Sequence, residues 1–241
     1  MKIAVMTDVH ANLPALRVAL DEISAMGCDK IIHTGDLIGI GPHPRECMEL
    51  MQATPDVHFV MGNHDALFDY GLPSREAPEM SLYAYEHELW THNQLEASWR
   101  ADVLKWPYAL RKSCSGIRLA FMHYGWNVAD QTFCDVMNDP TPQDYDRMFG
   151  GNDHDLVFYG HSHVASDVQG RARYINPGAL GCHEPAARFV VLNLKGSGEY
   201  EIEKHAVPYD PRLLIEDLKA RNVPDRELIC ETFFNEMLQG V

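Results

Sequence analysis

Lys2-Ile3-Ala4-Val5-Met6-Thr7-Asp8-Val9-His10 sets the pattern for the whole chain: a short apolar run stops abruptly on a carboxylate and an imidazole two residues apart. The next apolar run, Ile31 to Thr34, stops on Gly35-Asp36, and the one after it, Val57 to Met61, stops on Gly62-Asn63-His64-Asp65. Helical spacing fills the gaps. Leu13, Leu16, Leu20 and Ile23 recur every three or four residues, with Asn12 as the N-cap and Gly27 as the stop, and a second helix lies near Pro44 to Ala53. The order β-α-β-α-β predicts an α/β protein with a parallel sheet covered by helices.

Further along, residues 66–112 form a largely helical insertion, with Leu82, Tyr85 and Leu89 on one stripe and Leu95, Trp99 and Val103 on another. Strand-like runs return at Ile117 to Met122, Leu156 to Tyr159, Ala172 to Ile175, Phe189 to Leu194 and Tyr200 to His205. Helical patterns close the chain over about 210–238, burying a stripe such as Ile229, Phe233 and Met237. No repeat or low-complexity linker divides residues 1–241, and about 30 residues beyond Pro211 are too few for a unit of their own, so a single domain is expected.

Composition narrows the function. Lys and Arg number 20 against 35 Asp and Glu, a formal charge of −15 that disfavours a grip on duplex nucleic acid. Six cysteines, none in a Cys-x-x-Cys pair, argue against a zinc ribbon and for a reducing setting. The opening run is broken at Thr7 and Asp8, unlike a signal peptide, and no stretch reaches the roughly 18 apolar residues of a membrane span. The expected location is cytoplasmic, with no membrane partner, and a homo-oligomer is left open.

Five polar clusters fall at or just past the C-terminal ends of predicted strands: Asp8-Val9-His10, Gly35-Asp36, Gly62-Asn63-His64-Asp65, His123 and Gly160-His161-Ser162-His163. In α/β sheets those ends gather on one edge, so residues far apart in the chain can share a pocket. Each cluster alone has an ordinary reading: Asp8 as a cap, Gly35-Asp36 and Gly62-Asn63 as turns, His123 as a core histidine. Together, carboxylates, imidazoles and one amide oxygen suit borderline divalent ions such as Mn, Fe, Co, Ni or Zn rather than calcium.

The series Asp8-x-His10, Gly35-Asp36, Gly62-Asn63-His64-Asp65, His123 and Gly160-x-x-His163 resembles the calcineurin-like metallophosphoesterase superfamily, in particular its small bacterial and archaeal phosphodiesterases. Gly39-Ile40-Gly41-Pro42 and Asn176-Pro177-Gly178 extend the likeness, which runs from Met1 to about His205. It implies a four-layer α-β-β-α sandwich with mixed sheets and two divalent transition-metal ions at one edge. Asp8, His10 and His163 would hold the first ion, Asn63, His123 and His161 the second, and Asp36 would bridge them. Two departures stand out. Tyr124 separates His123 from Gly125, where relatives often have glycine next to the histidine, and His43 replaces a common Asp or Asn. His43 is read as an exposed turn residue or a substrate contact.

The resemblance further implies hydrolysis of small phosphodiesters, nucleotide-derived ones among them, by a hydroxide bridging the ions. Two divalent cations against two carboxylates leave about two net positive charges, so no arginine cluster is needed to hold phosphate. His64 is the expected acid for the leaving group, and Asp65 is expected to be either its orienting partner or a turn-stabilising carboxylate. A phosphomonoesterase or nucleoside-polyphosphate hydrolase would use the same centre. A protein phosphatase is disfavoured because Asp36 is followed by Leu37, Ile38 and Gly39 with no arginine pattern. A protein-binding scaffold, the role of the related retromer subunit, is disfavoured because every ligand position is filled.

Overall fold

The computed structural model describes residues 1–72 and 81–238, apart from the side chains of residues 82 and 83. In chain order the elements are β1 (Lys2–Met6), α1 (Leu13–Ala25), β2 (Lys30–His33), α2 (Pro44–Ala53), β3 (Val57–Phe59), α3 (Asn63–Tyr70), α4 (Leu82–Gln94) and α5 (Arg100–Val103). They continue with β4 (Ala109–Cys114), β5 (Ile117–Met122), β6 (Trp126–Asn127), β7 (Thr132–Phe133), α6 (Pro142–Phe149), β8 (Leu156–Phe158), β9 (Ser166–Gln169) and β10 (Arg173–Asn176). The last are β11 (Ala186–Gly196), β12 (Glu199–Pro208), α7 (Arg212–Ala220), α8 (Arg226–Phe233) and α9 (Asn235–Leu238).

Two five-stranded sheets, ordered β12-β11-β1-β2-β3 and β4-β5-β8-β10-β9, pack face to face. The alternation of β1 shows how: Ile3 and Val5 join Phe121, Phe158 and Val190 between the sheets, while Ala4 and Met6 join Leu16, Leu37 and Leu214 beneath the outer helices. A third cluster seats Tyr145 and Phe149 of α6 on the other outer face, against Val157 and Tyr174. The result is the four-layer α-β-β-α sandwich. Both sheets are mixed: β1-β2-β3 and β5-β8-β10 are parallel, and β11, β12, β4 and β9 add antiparallel edges.

Three differences from the sequence reading have physical causes. The strand β4 occupies the end of the supposed helical segment, because Ser115 and Gly116, both at positive φ (54° and 83°), turn the chain back on itself as a tight hairpin into β5. On α4 the buried face is polar: His87, Glu88, Thr91 and His92 are buried, whereas Leu89 is 37% exposed. The side chain of Leu82, on the same expected stripe, lies outside the described residues, as do positions 73–80 of the insertion. His43 is buried rather than exposed, its Nε2 paired at 2.8 Å with Asp217 of α7, which accounts for it without a substrate.

His33 carries a stability cost that depends on pH. It is fully buried at the end of β2 with neither ring nitrogen hydrogen-bonded, and burial drives its imidazole down to about 3. The folded value lies below the unfolded one, so the unfolded chain binds the extra proton throughout the interval between them. Stability therefore falls as pH drops from about 6.5 toward 3, by about 1.4 kcal/mol per pH unit for this one proton. Urea midpoints of chelator-treated protein at pH 7, 5.5 and 4.5 should show a shallower acid loss in His33→Leu than in the parent. Equal slopes would refute this account.

Candidate metal centre

The strand ends bring the sequence-selected residues to one edge of the sandwich. Asp8 and His10 leave β1, Asp36 follows β2, Asn63 and His64 open α3, His123 follows β5, and His161 and His163 follow β8. Five of them hold left-handed backbone: Asp8 (φ 52°), His10 (47°), Asp36 (60°), His161 (68°) and His163 (59°). Such conformations are costly for residues with side chains and persist where surrounding structure enforces them, as it does at functional sites. Here the enforcement is visible. The Asp8 and His10 amides donate to the Gly35 and Asp36 carbonyls, and the His161 amide donates to the Asp8 carboxylate at 3.0 Å. Asn176 of the Asn-Pro-Gly stretch donates from Nδ2 to the Gly160 carbonyl and to Ser162 Oγ, pinning the histidine loop.

The donor atoms fall into two groups around Asp36. In the first, His10 Nε2 faces His163 Nε2 at 2.9 Å, and each is 3.8 Å from Asp8 Oδ1. Asp36 Oδ2 lies 3.9 Å from His10 Nε2. In the second, Asn63 Oδ1 is 3.0 Å from His123 Nε2 and 2.9 Å from His161 Nδ1, and Asp36 Oδ2 is 3.2 Å from His123 Nε2. Donors bonded to one transition metal at about 2.0 to 2.2 Å lie about 3 to 4 Å from each other, so both groups have the right span for an ion. His123 adds a tautomer argument. A carbonyl can only accept, so Nδ1–H donates to the Thr34 carbonyl at 3.0 Å, which leaves Nε2 as the atom facing the group. The donor atoms are of a kind and spacing that suit divalent cations, and Asp36 Oδ2 lies within 3.9 Å of a donor in each group.

Electrostatics divide the histidines: burial disfavours the His123 imidazolium, but Asp36 outweighs it and pushes the ring up to about 9, so an ion bound there would have to displace a proton. Burial keeps His10 far below its ordinary value, with His163 adding to the effect, and it lowers His161 to about 4 and His163 to about 3. These imidazoles are neutral, as ligands must be. Burial raises Asp8, with Asp36 adding to the rise against an opposing His123. Asp36 is held well below the carboxylate range because His123, His64 and His10 outweigh its burial.

His64 and Asp65 behave differently from each other. The His64 side chain is 21% exposed, and its ring centroid is 5.3 Å from that of His10, edge to face. Its Nδ1 meets Glu88 Oε1 at 2.6 Å. Burial disfavours the imidazolium, but Glu88 and Asp36 more than offset this and push it up to about 10. Gly39, at φ 85°, gives the ring its room: a Cβ there would come within 2.6 Å of His64 Nδ1. Asp65 does not reach the ring as its orienting hydrogen-bond partner. Its carboxylate accepts from the amides of Asp36 (2.8 Å), Leu37 (3.1 Å) and Gly62 (3.1 Å), anchoring the loop that carries Asp36. Sequence reading missed Glu88. The available signal was the polar run His87-Glu88 and Thr91-His92, one helical turn apart on α4. Cys182, whose sulphur joins the His10 and His163 group, was also missed. Tyr124, the departure beside His123, is buried with its ring 5.0 Å from that of His161, against which it packs.

Comparisons with known proteins identify the family. A family model for the calcineurin-like phosphoesterase superfamily domain matches residues 1–197. An uncharacterized protein of Methanocaldococcus jannaschii is 27% identical over 240 residues, spanning 92% of this chain and 94% of the relative. Among solved structures, a metallophosphoesterase from Sphaerobacter thermophilus aligns at TM-score 0.72 and 25% identity, covering 100% of this chain and 99% of its own. A hypothetical protein from Pyrococcus horikoshii OT3 shares the fold at TM-score 0.79 and 19% identity, over 96% of this chain and 97% of its own.

Proposed function

Because this chain belongs to the calcineurin-like phosphoesterase superfamily, whose members are metal-dependent phosphoester hydrolases, we propose that it hydrolyses small phosphodiesters at a two-metal centre. Asp8, His10 and His163 would hold one ion, Asn63, His123 and His161 the other, with Asp36 shared. The observation that carries this reading is the position of Asp36 Oδ2, 3.9 Å from the first group's His10 and 3.2 Å from the second group's His123. Bound there, two divalent ions would polarise phosphoryl oxygens and activate the attacking water.

The protein's own groups supply the rest. Left-handed backbone at five ligands fixes the donors before substrate arrives, so little reorganisation is needed on binding. His64, hydrogen-bonded through Nδ1 to Glu88, keeps Nε2 for the substrate side and carries the proton that the leaving alkoxide requires. The Asp65 carboxylate holds the Asp36 loop through its amides. Residues 1–241 act as one domain in this reading, placed in a reducing cytoplasm, where the six cysteines remain thiols.

The test is a panel. Purified protein, stripped and reconstituted separately with Mn, Co, Ni, Zn and Fe(II), is assayed against a phosphodiester and the matching phosphomonoester, with metal content measured in parallel. Diester turnover dependent on about two equivalents of metal is the expected result. Failure to bind metal together with absence of turnover would instead favour the scaffold role.

A further inference from the structure

Beside the second ligand group a cleft of about 470 Å³ opens, and Asn63 and His161 belong to its wall as well as to that group. Small-molecule sites commonly fall between about 300 and 1,000 Å³. The other walls come from three separate segments: Tyr70 on α3, Tyr108 just before β4, and the β6-β7 hairpin. Trp126 and Phe133 are directly paired across that hairpin, which puts both rings on one face. Their centroids are 5.1 Å apart, and Tyr108 lies 4.1 Å from Trp126 and 5.8 Å from Phe133. Phe133 in turn stands 6.0 Å from His161, nearly parallel at 26°, so the aromatic wall runs into the ligand imidazoles. The Tyr70 and Tyr108 hydroxyls share a hydrogen bond of 2.6 Å, although Tyr70 is 69% exposed.

Aromatic faces left partly open to water beside a polar centre need an occupant that stacks. The lining residues include no lysine or arginine among the described residues, and Asp135 supplies their one formal charge. A phosphate would find nothing to pair with there, so the cleft suits the organic part of an ester whose phosphate sits on the metal donors. Gln131 and Asp135 offer acceptors to an amino group on a ring, which an alkyl or acyl chain could not use. We propose that the cleft binds a nucleobase, making the substrate a nucleotide-type phosphate ester. The proposal rests on the phosphodiesterase reading for its phosphate half and on the aromatic wall for its base half.

Two measurements separate those halves. Chelator-treated protein is titrated calorimetrically with adenosine, which carries no phosphate, and with ribose as the ring-free control. Saturable adenosine binding, stronger than ribose binding and weakened on the order of tenfold to a hundredfold in Trp126→Ala, is expected, that being the range for loss of one stacking face. Trp126→Phe should restore most of it, whereas a merely structural defect would not be rescued that way. The reconstituted enzyme is then assayed on 2′,3′-cyclic AMP and on glycerophosphoethanolamine. The ratio of kcat/KM for the cyclic nucleotide over the ring-free diester should fall at least about tenfold in Trp126→Ala, chiefly through KM. An unchanged ratio, or adenosine binding no tighter than ribose, would overturn the base site. Adenosine binding without turnover of any ester would sustain the base site and overturn the hydrolase reading instead.

Discussion

Asp36→Asn is expected to empty both metal positions together and to lower kcat/KM by about 10³-fold or more, the scale on which a single stabilising charge acts on a phosphoryl group in transfer. The argument lies in which oxygen is already committed. Asp36 Oδ1 accepts the His64 backbone N–H at 2.9 Å, so an asparagine must present its carbonyl oxygen there to avoid opposing two donors. Its amide nitrogen then takes the place of Oδ2, the atom 3.2 Å from His123 Nε2 and 3.9 Å from His10 Nε2. An NH2 group has no lone pair for either cation, and one of the two carboxylate charges balancing them is gone. Metal content should fall from about two equivalents to below one, with the far-ultraviolet spectrum unchanged. Asp8→Asn, by contrast, should spare the second ion. Two fully occupied positions in Asp36→Asn would contradict the bridging role.

How much of this was legible without coordinates depended on where each residue lies. The strands β1 and β2 are buried on both faces, so they read as unbroken apolar runs, and the polar residues that end them stood out by contrast. That made Asp8, His10 and Asp36 findable, and the pair His161 and His163 stood out because two histidines in a tight turn have little structural use. Glu88 escaped because a helix 24 residues from His64 shows only its own periodicity. Tyr85 and Leu89 suggested an apolar face, yet the helix turns its carboxylate inward, where pairing with His64 offsets its burial. Of the two readings of Asp65, the turn-stabilising carboxylate is the one its hydrogen bonds match. At the third position of α3 its side chain reaches back to the Gly62 amide, as such residues do at helix starts, and so turns away from its neighbour's ring. The hairpin Trp126 to Phe133 gave no signal, since two-residue strands carry no measurable alternation.

His64→Ala should lower kcat by about 10² to 10⁴-fold while leaving metal content near that of the parent: the ring lies within ligand reach of His10 and Asp36, but its Nδ1 is committed to Glu88 and its proton to the leaving group. The loss should depend on the leaving group. A p-nitrophenolate departs without a proton, so its ester should lose much less than one expelling an alkoxide. Glu88→Gln tests the same proton from behind. A glutamine oxygen can still accept from Nδ1, so the ring stays in place, but the negative charge that favours the imidazolium is lost. Its kcat on an alkyl diester should drop about tenfold or more with KM little changed, and the drop should shrink for the nitrophenyl ester as it does in His64→Ala. Combining the two substitutions should cost no more than His64→Ala alone, since Glu88 acts only through that ring. Additive losses would mean that Glu88 serves some other purpose, and a variant lacking His64 that still turned over an alkyl diester at the parental rate would remove the acid from the mechanism. Asp65→Asn provides the contrast. Because its carboxylate accepts the amides of Asp36, Leu37 and Gly62, its loss should disturb the bridging loop and lower metal content together with turnover, whatever the leaving group.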